Sequence, residues 1–107
     1  MLKTDCYAGS MPCATAAVLE KIPMPVQMAI WRAIDRMPRP RDNLQVFDLS
    51  RDTREGRVCQ IIRHTQEEPL YYQEYALPCA EAVDGYKALV IAEDGGEYSV
   101  LMLADEW

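Results

Sequence analysis

Four cysteines, at positions 6, 13, 59 and 79, and a single histidine, His64, are the residues of this 107-residue sequence best equipped for chemistry. A thiol nucleophile needs a base within hydrogen-bond reach and a third group to orient that base. Cys59 and His64 are separated by an odd number of positions, so within one extended segment their side chains point to opposite faces. They cannot pair inside one strand. Cys79 follows Pro78 in a loop-like stretch and could meet His64 only through the fold. No Cys-x-x-Cys occurs, and a lone histidine just past Cys59 is not zinc spacing. The cysteines are therefore expected to be reduced thiols acting as small apolar side chains. His64 reads as a hydrogen-bonding strand residue at the edge of the core.

The carboxylates are the other source of chemistry. Glu67-Glu68, with Glu74 and Glu81 beyond, contain the residue type used for acid–base work or divalent-ion binding. Neighbours in an extended chain diverge, however, and no calcium-type loop of Asp, Asn and Gly is present, so a solvated acidic rim is expected. Asp94-Gly95-Gly96-Glu97 reads as a turn, not a metal loop. No phosphate loop, dinucleotide fingerprint or nucleophile elbow appears. The residues thus indicate no catalytic group, metal or cofactor.

Charge narrows the partners. The net charge is −6, unevenly spread. Residues 1–31 are neutral; all eight arginines lie in residues 32–63 against five acids, giving +3; residues 64–107 hold ten acids and Lys87, giving −9. An acidic chain is a poor general ligand for nucleic acid, because neutralising phosphates takes a dense positive field. The arginines of residues 32–63 are expected to lie beside acidic strands and to cancel across the sheet. No apolar run reaches the roughly 18 residues of a membrane span, and an acid stands early in the N-terminus where a signal peptide would be apolar. A cytoplasmic protein is expected.

These side chains must be carried by something. Residues 1–12 contain Gly9-Ser10 and Pro12 and read as an irregular arm of a single domain, 1–107. Cys13 to Leu19 fits either a short strand or a helical turn. Pro23 and Pro25 suit a first helical turn. Val26, Ala29, Ile30, Ala33, Ile34 and Met37 then repeat as one apolar stripe, which predicts a helix over 24–37 ended by Met37-Pro38-Arg39-Pro40. Met24, Met28, Trp31 and Asp35 fall on its far side, where a helix covering a sheet should be polar. Either the arm folds over this second face or a partner does, and methionine and tryptophan suit a contact surface.

From Leu44 the period becomes two. Leu44–Leu49, Arg57–His64, Leu70–Leu77, Lys87–Glu93 and Glu97–Leu103 read as strands, with Ser50 to Gly56 as a polar link and Asp94-Gly95-Gly96 as a hairpin turn. Tyr71 and Tyr75 share a face and Tyr72 is opposite; the glutamates around them would repel phosphate, so they read as packing residues and not a base-stacking platform. The fold class that follows is α+β: an antiparallel sheet of about five strands with one amphipathic helix on one face.

Several stretches also resemble a known family. They are Ile22-Pro23, Ala29-Ile30-Trp31-Arg32-Ala33-Ile34-Asp35, Leu44-Gln45-Val46-Phe47-Asp48-Leu49, Ile61-Ile62-Arg63-His64-Thr65-Gln66-Glu67-Glu68-Pro69, Asp94-Gly95-Gly96-Glu97-Tyr98-Ser99 and Met102-Leu103-Ala104-Asp105-Glu106. Together they are similar to domain-of-unknown-function family nine-sixty, of Gram-positive bacteria and their mobile elements. The resemblance spans roughly residues 14–106 and omits Cys6 and Cys13. It implies a bacterial, phage or mobile-element setting and brings no catalytic residues. The function expected is a non-enzymatic binding or regulatory protein, such as a mobile-element accessory factor, whose partner is another protein or a second copy of the chain. Two alternatives remain: an acidic inhibitor mimicking nucleic acid, and an enzyme whose site is assembled from scattered residues.

Overall fold

A computed structural model describes residues 13–92 and 98–107 of the chain. The sheet starts with a two-residue strand, β1 (Cys13–Ala14), and the chain turns at once into helix α1 (Ala16–Lys21). Thr15 makes that turn possible: its side chain accepts a hydrogen bond from the Val18 N–H, as an N-cap must. The segment that suited either a strand or a helical turn is therefore both in succession. Helix α2 (Met24–Arg36) follows after Pro23, and its chain direction changes at Met37. Val26, Ile30, Ala33, Ile34 and Met37 are all buried, so the apolar stripe faces the sheet as its spacing requires.

The rest is strand: β2 (Leu44–Arg54), β3 (Arg57–Gln66), β4 (Tyr71–Pro78), β5 (Tyr86–Ala92) and β6 (Tyr98–Leu103), ending in a short 3₁₀ turn, Ala104–Glu106. The six strands form one sheet in the order β1-β6-β5-β2-β3-β4. All neighbours are antiparallel except β1, which runs parallel to β6. The α+β class holds. The expected five antiparallel strands and one helix become six strands in a mixed sheet and two helices. The difference lies in the short N-terminal elements, β1 and α1, which are too brief to show a period.

Ser50 to Gly56 also differs from expectation. Strand β2 continues through Ser50 to Arg54, paired residue by residue with β3, and the turn is only Glu55-Gly56. Both have positive φ, 53° and 76°, the two-residue geometry whose twist suits a hairpin. The polar link is a strand because this end of the hairpin projects beyond the core, and neither face there needs apolar residues. The expected irregular arm at 1–12 and the turn at Asp94-Gly95-Gly96 fall outside the described residues.

The main core lies between the helices and one sheet face. It joins Val18, Ile22, Val26, Ile30 and Ile34 to Phe47, Leu49, Ile62, Val90, Leu101 and Leu103. The opposite face carries a second, smaller cluster around Leu89, Val100 and Met102, with Leu44, Val46 and Ile91 against it. Thr15, near the start of the described residues, is tied to the C-terminal turn. Its hydroxyl donates to Glu106 Oε1 (2.8 Å), which also accepts the Leu103 N–H (2.9 Å).

Candidate functional site

The residues with catalytic potential do not converge. Cys59 and His64 lie on opposite faces of β3, as their spacing requires. Cys59 is buried and its thiol donates to the Arg57 carbonyl, at 3.7 Å. Cys79 is half-buried against the main core, and its backbone N–H donates to Val58 O. Cys59 and Cys79 are free thiols, as expected. Cys13 departs from that expectation: it is disulfide-bonded. Among the described residues no cluster of histidine, cysteine and carboxylates could hold a metal ion.

His64 is fully buried on the helix-facing side of the sheet. Its ring stacks on Phe47, with centroids 4.3 Å apart, and meets Tyr71 edge-on at 5.2 Å. Nε2 lies 2.6 Å from Gln45 Oε1. The Gln45 amide nitrogen donates to Gln66 Oε1 (2.7 Å) and to the Asp42 carbonyl (3.0 Å), and the Gln66 amide nitrogen donates to Pro69 O (2.7 Å). This chain of side-chain amides fixes the start of β2 to the turn that ends β3. Burial alone pushes the His64 pKa down to about 4, so the ring is neutral. Fully buried and with a structural set of partners, His64 serves the fold. It lies deeper than the core edge where its sequence context put it.

The carboxylates divide between paired and exposed. Glu74 sits opposite Arg63 across β3 and β4, and its two oxygens meet Arg63 (3.1 Å) and Arg54 (3.4 Å). The Tyr72 hydroxyl, followed by these two guanidinium groups, holds the Glu74 carboxyl below its ordinary range. Lys87 faces Asp48 across β5 and β2 at 3.8 Å. Part of the arginine segment thus cancels against acids across the sheet, as its charge pattern suggested. Glu67 and Glu68 are exposed, and Glu81 lies far along the chain on another loop.

The helix face is a different matter. Met24 and Met28, one turn apart, are 57 % and 46 % exposed. Asp35 is exposed as well, whereas Trp31 is half-buried and packs against the main core. The structure therefore keeps Met24 and Met28 together at the surface and withdraws Trp31 from it. Leu19 of α1, 48 % exposed, joins the methionines from a direction that helical spacing within α2 could not show. Leu19 and Met24 stand on the rim of an open cleft of about 460 Å³, between the α1–α2 corner and the loop after β4. Pro23, Lys21, Glu81 and Val83 complete its walls.

Two buried glutamines hold those walls. Gln27 donates from Nε2 to the Ile22 carbonyl (2.8 Å), which braces the α1–α2 corner. Gln60 reaches from β3 to the opposite wall: its Nε2 donates to Val83 O (2.8 Å) and Ser50 O (2.8 Å), and its Oε1 accepts the Val83 N–H (2.8 Å). Arg51 adds a bond from its backbone N–H to Asp84 Oδ1 (3.0 Å) and from its guanidinium to Ala82 O (3.3 Å). Each glutamine stands at a position whose spacing belongs to the buried face, Gln27 beside Ile30 and Ile34 and Gln60 beside Ile62. An uncharged amide at an apolar position is the signal that could have marked them, since a buried amide must find partners.

Comparison with known proteins gives the fold context. No curated protein matches the sequence. A crystal structure of a protein of unknown function from Enterococcus faecalis superimposes with a TM-score of 0.68, covering 94 % of this chain and 93 % of that one at 20 % identity, which speaks to fold alone. No described helix is long and apolar enough to cross a membrane. A family model, DUF960, described as a staphylococcal protein of unknown function, matches residues 13–106, nearly the whole described chain and the span of the resemblance noted above. The chain belongs to the DUF960 family of Gram-positive bacteria.

Proposed function

We propose that this chain is a non-enzymatic binding or regulatory protein, at work in a Gram-positive bacterium or its mobile elements, that engages a protein partner through the α1–α2 surface. The observation that carries the reading is the exposed trio Leu19, Met24 and Met28 beside a cleft whose two walls are fixed by Gln27 and Gln60. Flexible, polarisable methionines adapt to a partner's side chains, and a cleft held in place before binding loses little freedom on association. Lys21 and Glu81 on the walls offer both signs of charge for orientation. The nucleic-acid-mimic reading, which draws on the acids of residues 64–107, loses two of them to partners within the chain, Glu74 to Arg63 and Arg54 and Glu106 to Thr15. The sealed environment of His64 argues in the same way against acid–base catalysis.

The test is comparative affinity purification from the native host. The parent chain and a Met24→Glu/Met28→Glu double variant are used as baits, with circular dichroism confirming that the variant is folded. A protein retained by the parent and lost by the variant supports the reading. Identical recoveries would reject this surface.

A further inference from the structure

The two ends of the sheet are treated differently by the sequence. At one end the described part of β1 is two residues long and runs straight into the Thr15 cap, so among the described residues it offers almost no free edge. At the other end β4 runs for eight residues, Tyr71–Pro78. It pairs with β3 without a register shift, and it contains no lysine and no proline before Pro78. Long, regular edge strands without such obstacles are templates for pairing with another strand. Tyr72, Gln73 and Ala76 are exposed, while Tyr75 and Leu77 of the same strand pack against the main core.

The direction of each β4 backbone group follows from two observations. The Cys79 N–H donates to Val58 O, and Val58 and Cys79 continue the β3–β4 register. The two-residue turn at Glu55-Gly56 makes Arg54 and Arg57 a hydrogen-bonded pair, so β3 turns its odd-numbered residues toward β2 and its even-numbered ones toward β4. Both place the N–H and C=O groups of Tyr71, Gln73, Tyr75 and Leu77 toward β3. Those of Tyr72, Glu74 and Ala76 point outward, and no hydrogen bond within the described residues uses them.

We propose that the β4 edge pairs antiparallel with β4 of a second copy of this chain, about a twofold axis at Glu74, joining two six-stranded sheets into one. This register sets Tyr72 against the partner's Ala76, Glu74 against the partner's Glu74 and Ala76 against the partner's Tyr72. Each of these three pairs exchanges two backbone hydrogen bonds. The side chains are self-complementary in the same register. On one face the large exposed Tyr72 lies over the small exposed Ala76. On the other, Tyr71 faces the partner's Leu77, and Gln73 the partner's Tyr75. Leu70, 87 % exposed, comes opposite the partner's Pro78, whose missing N–H ends the run of bonds there. Charge at the axis is also provided for: each Glu74 carboxylate arrives already paired with Arg63 and Arg54, so two bare carboxylates do not meet. This surface is separate from the α1–α2 cleft, and the two readings stand or fall independently.

Backbone amide exchange and sedimentation equilibrium test the pairing on the full chain. Raising the concentration from about 5 μM to about 1 mM should shift the mass from 12.2 kDa toward twice that value. Over the same range the amides of Tyr72, Glu74 and Ala76 should become at least tenfold slower to exchange, while those of Gln73 and Tyr75 stay protected throughout. Ala76→Pro removes only an outward N–H, which an edge strand tolerates; it should stay folded and dimerise at least tenfold more weakly. A mass of 12.2 kDa throughout would overturn the proposal. So would a dimer in which the three outward amides remain unprotected, and that outcome is readable on the parent chain even if the variant fails to fold.

Discussion

His64 Nε2 lies 2.6 Å from the side-chain oxygen of Gln45, deep between Phe47 and Tyr71. The amide orientation settles the tautomer. Gln45 uses its nitrogen toward Gln66 and Asp42, so its oxygen must accept, and the proton of neutral His64 sits on Nε2. Nδ1 is left bare, buried and without a partner. A second proton would have to enter there with nothing to stabilise it.

The sign of the pH effect follows. His64 has a pKa near 4 in the folded chain, below its ordinary 6.5, so between those values the unfolded chain binds a proton that the folded chain does not. Stability from this group is complete above pH 6.5, falls as pH drops from 6.5 to 4, and levels off below that. The loss is expected to total about 3 kcal/mol. Urea titrations of the parent and of His64→Gln across this range check it. The parent should lose stability relative to the variant as pH falls, and a constant difference would refute the assignment.

Gln60 offers a test of the cleft wall. Replacing it with methionine keeps the volume but leaves the Val83 N–H, Val83 carbonyl and Ser50 carbonyl without that partner. The expected cost is about 2–4 kcal/mol in urea denaturation, the sum of a few buried polar groups left unsatisfied. Exchange of the Val83 amide should accelerate more than exchange in β2, because the loop is released before the sheet is.

Much of this arrangement could be read from residue order, and the exceptions share a cause. The α2 stripe from Val26 to Met37 was legible because a 13-residue helix repeats its period several times. The opposite facing of Cys59 and His64 needed only the alternation of a strand. The β1–α1 segment was not resolved, since two residues of strand and six of helix are shorter than the patterns that identify them. Arg51 to Arg54 looked like a linker because a hairpin extending past the core needs no apolar face. For the candidate surface, spacing within α2 grouped Trp31 with Met24 and Met28, but Trp31 packs against the main core while the methionines stay exposed. Leu19 joined the methionines through the α1–α2 corner, a bend between two helices that no period within one helix encodes.

That division of the helix face predicts opposite results for its members. Trp31→Ala removes a half-buried aromatic ring from the main core and should cost about 2–3 kcal/mol, less than the 3–5 typical of full burial. Met24→Ser and Met28→Ser should each stay within about 0.5 kcal/mol, as exposed positions do. Thermal melts of the three variants are sufficient. A methionine variant as destabilised as Trp31→Ala would mean that the surface is covered within the chain and is not available to a partner.

The β2–β3 turn makes the most local prediction. Glu55 has φ of 53° and Gly56 has φ of 76°, both in the left-handed region that a side chain with Cβ enters at a cost. A Cβ added at Gly56 would meet no atom within 4 Å, so a loss on Gly56→Ala is conformational and not steric crowding from elsewhere in the fold. That loss is expected to be about 1–2 kcal/mol. Glu55 already bears the corresponding strain, and asparagine tolerates the left-handed region better because its short side chain bonds locally. Glu55→Asn should therefore raise stability by about 0.5–1 kcal/mol. It is solvent-exposed, so no packing is lost to offset the gain. Equilibrium urea unfolding of the two variants reads both signs. If Glu55→Asn destabilises the chain while Gly56→Ala is neutral, the turn does not have the two left-handed residues that give β2 and β3 their register.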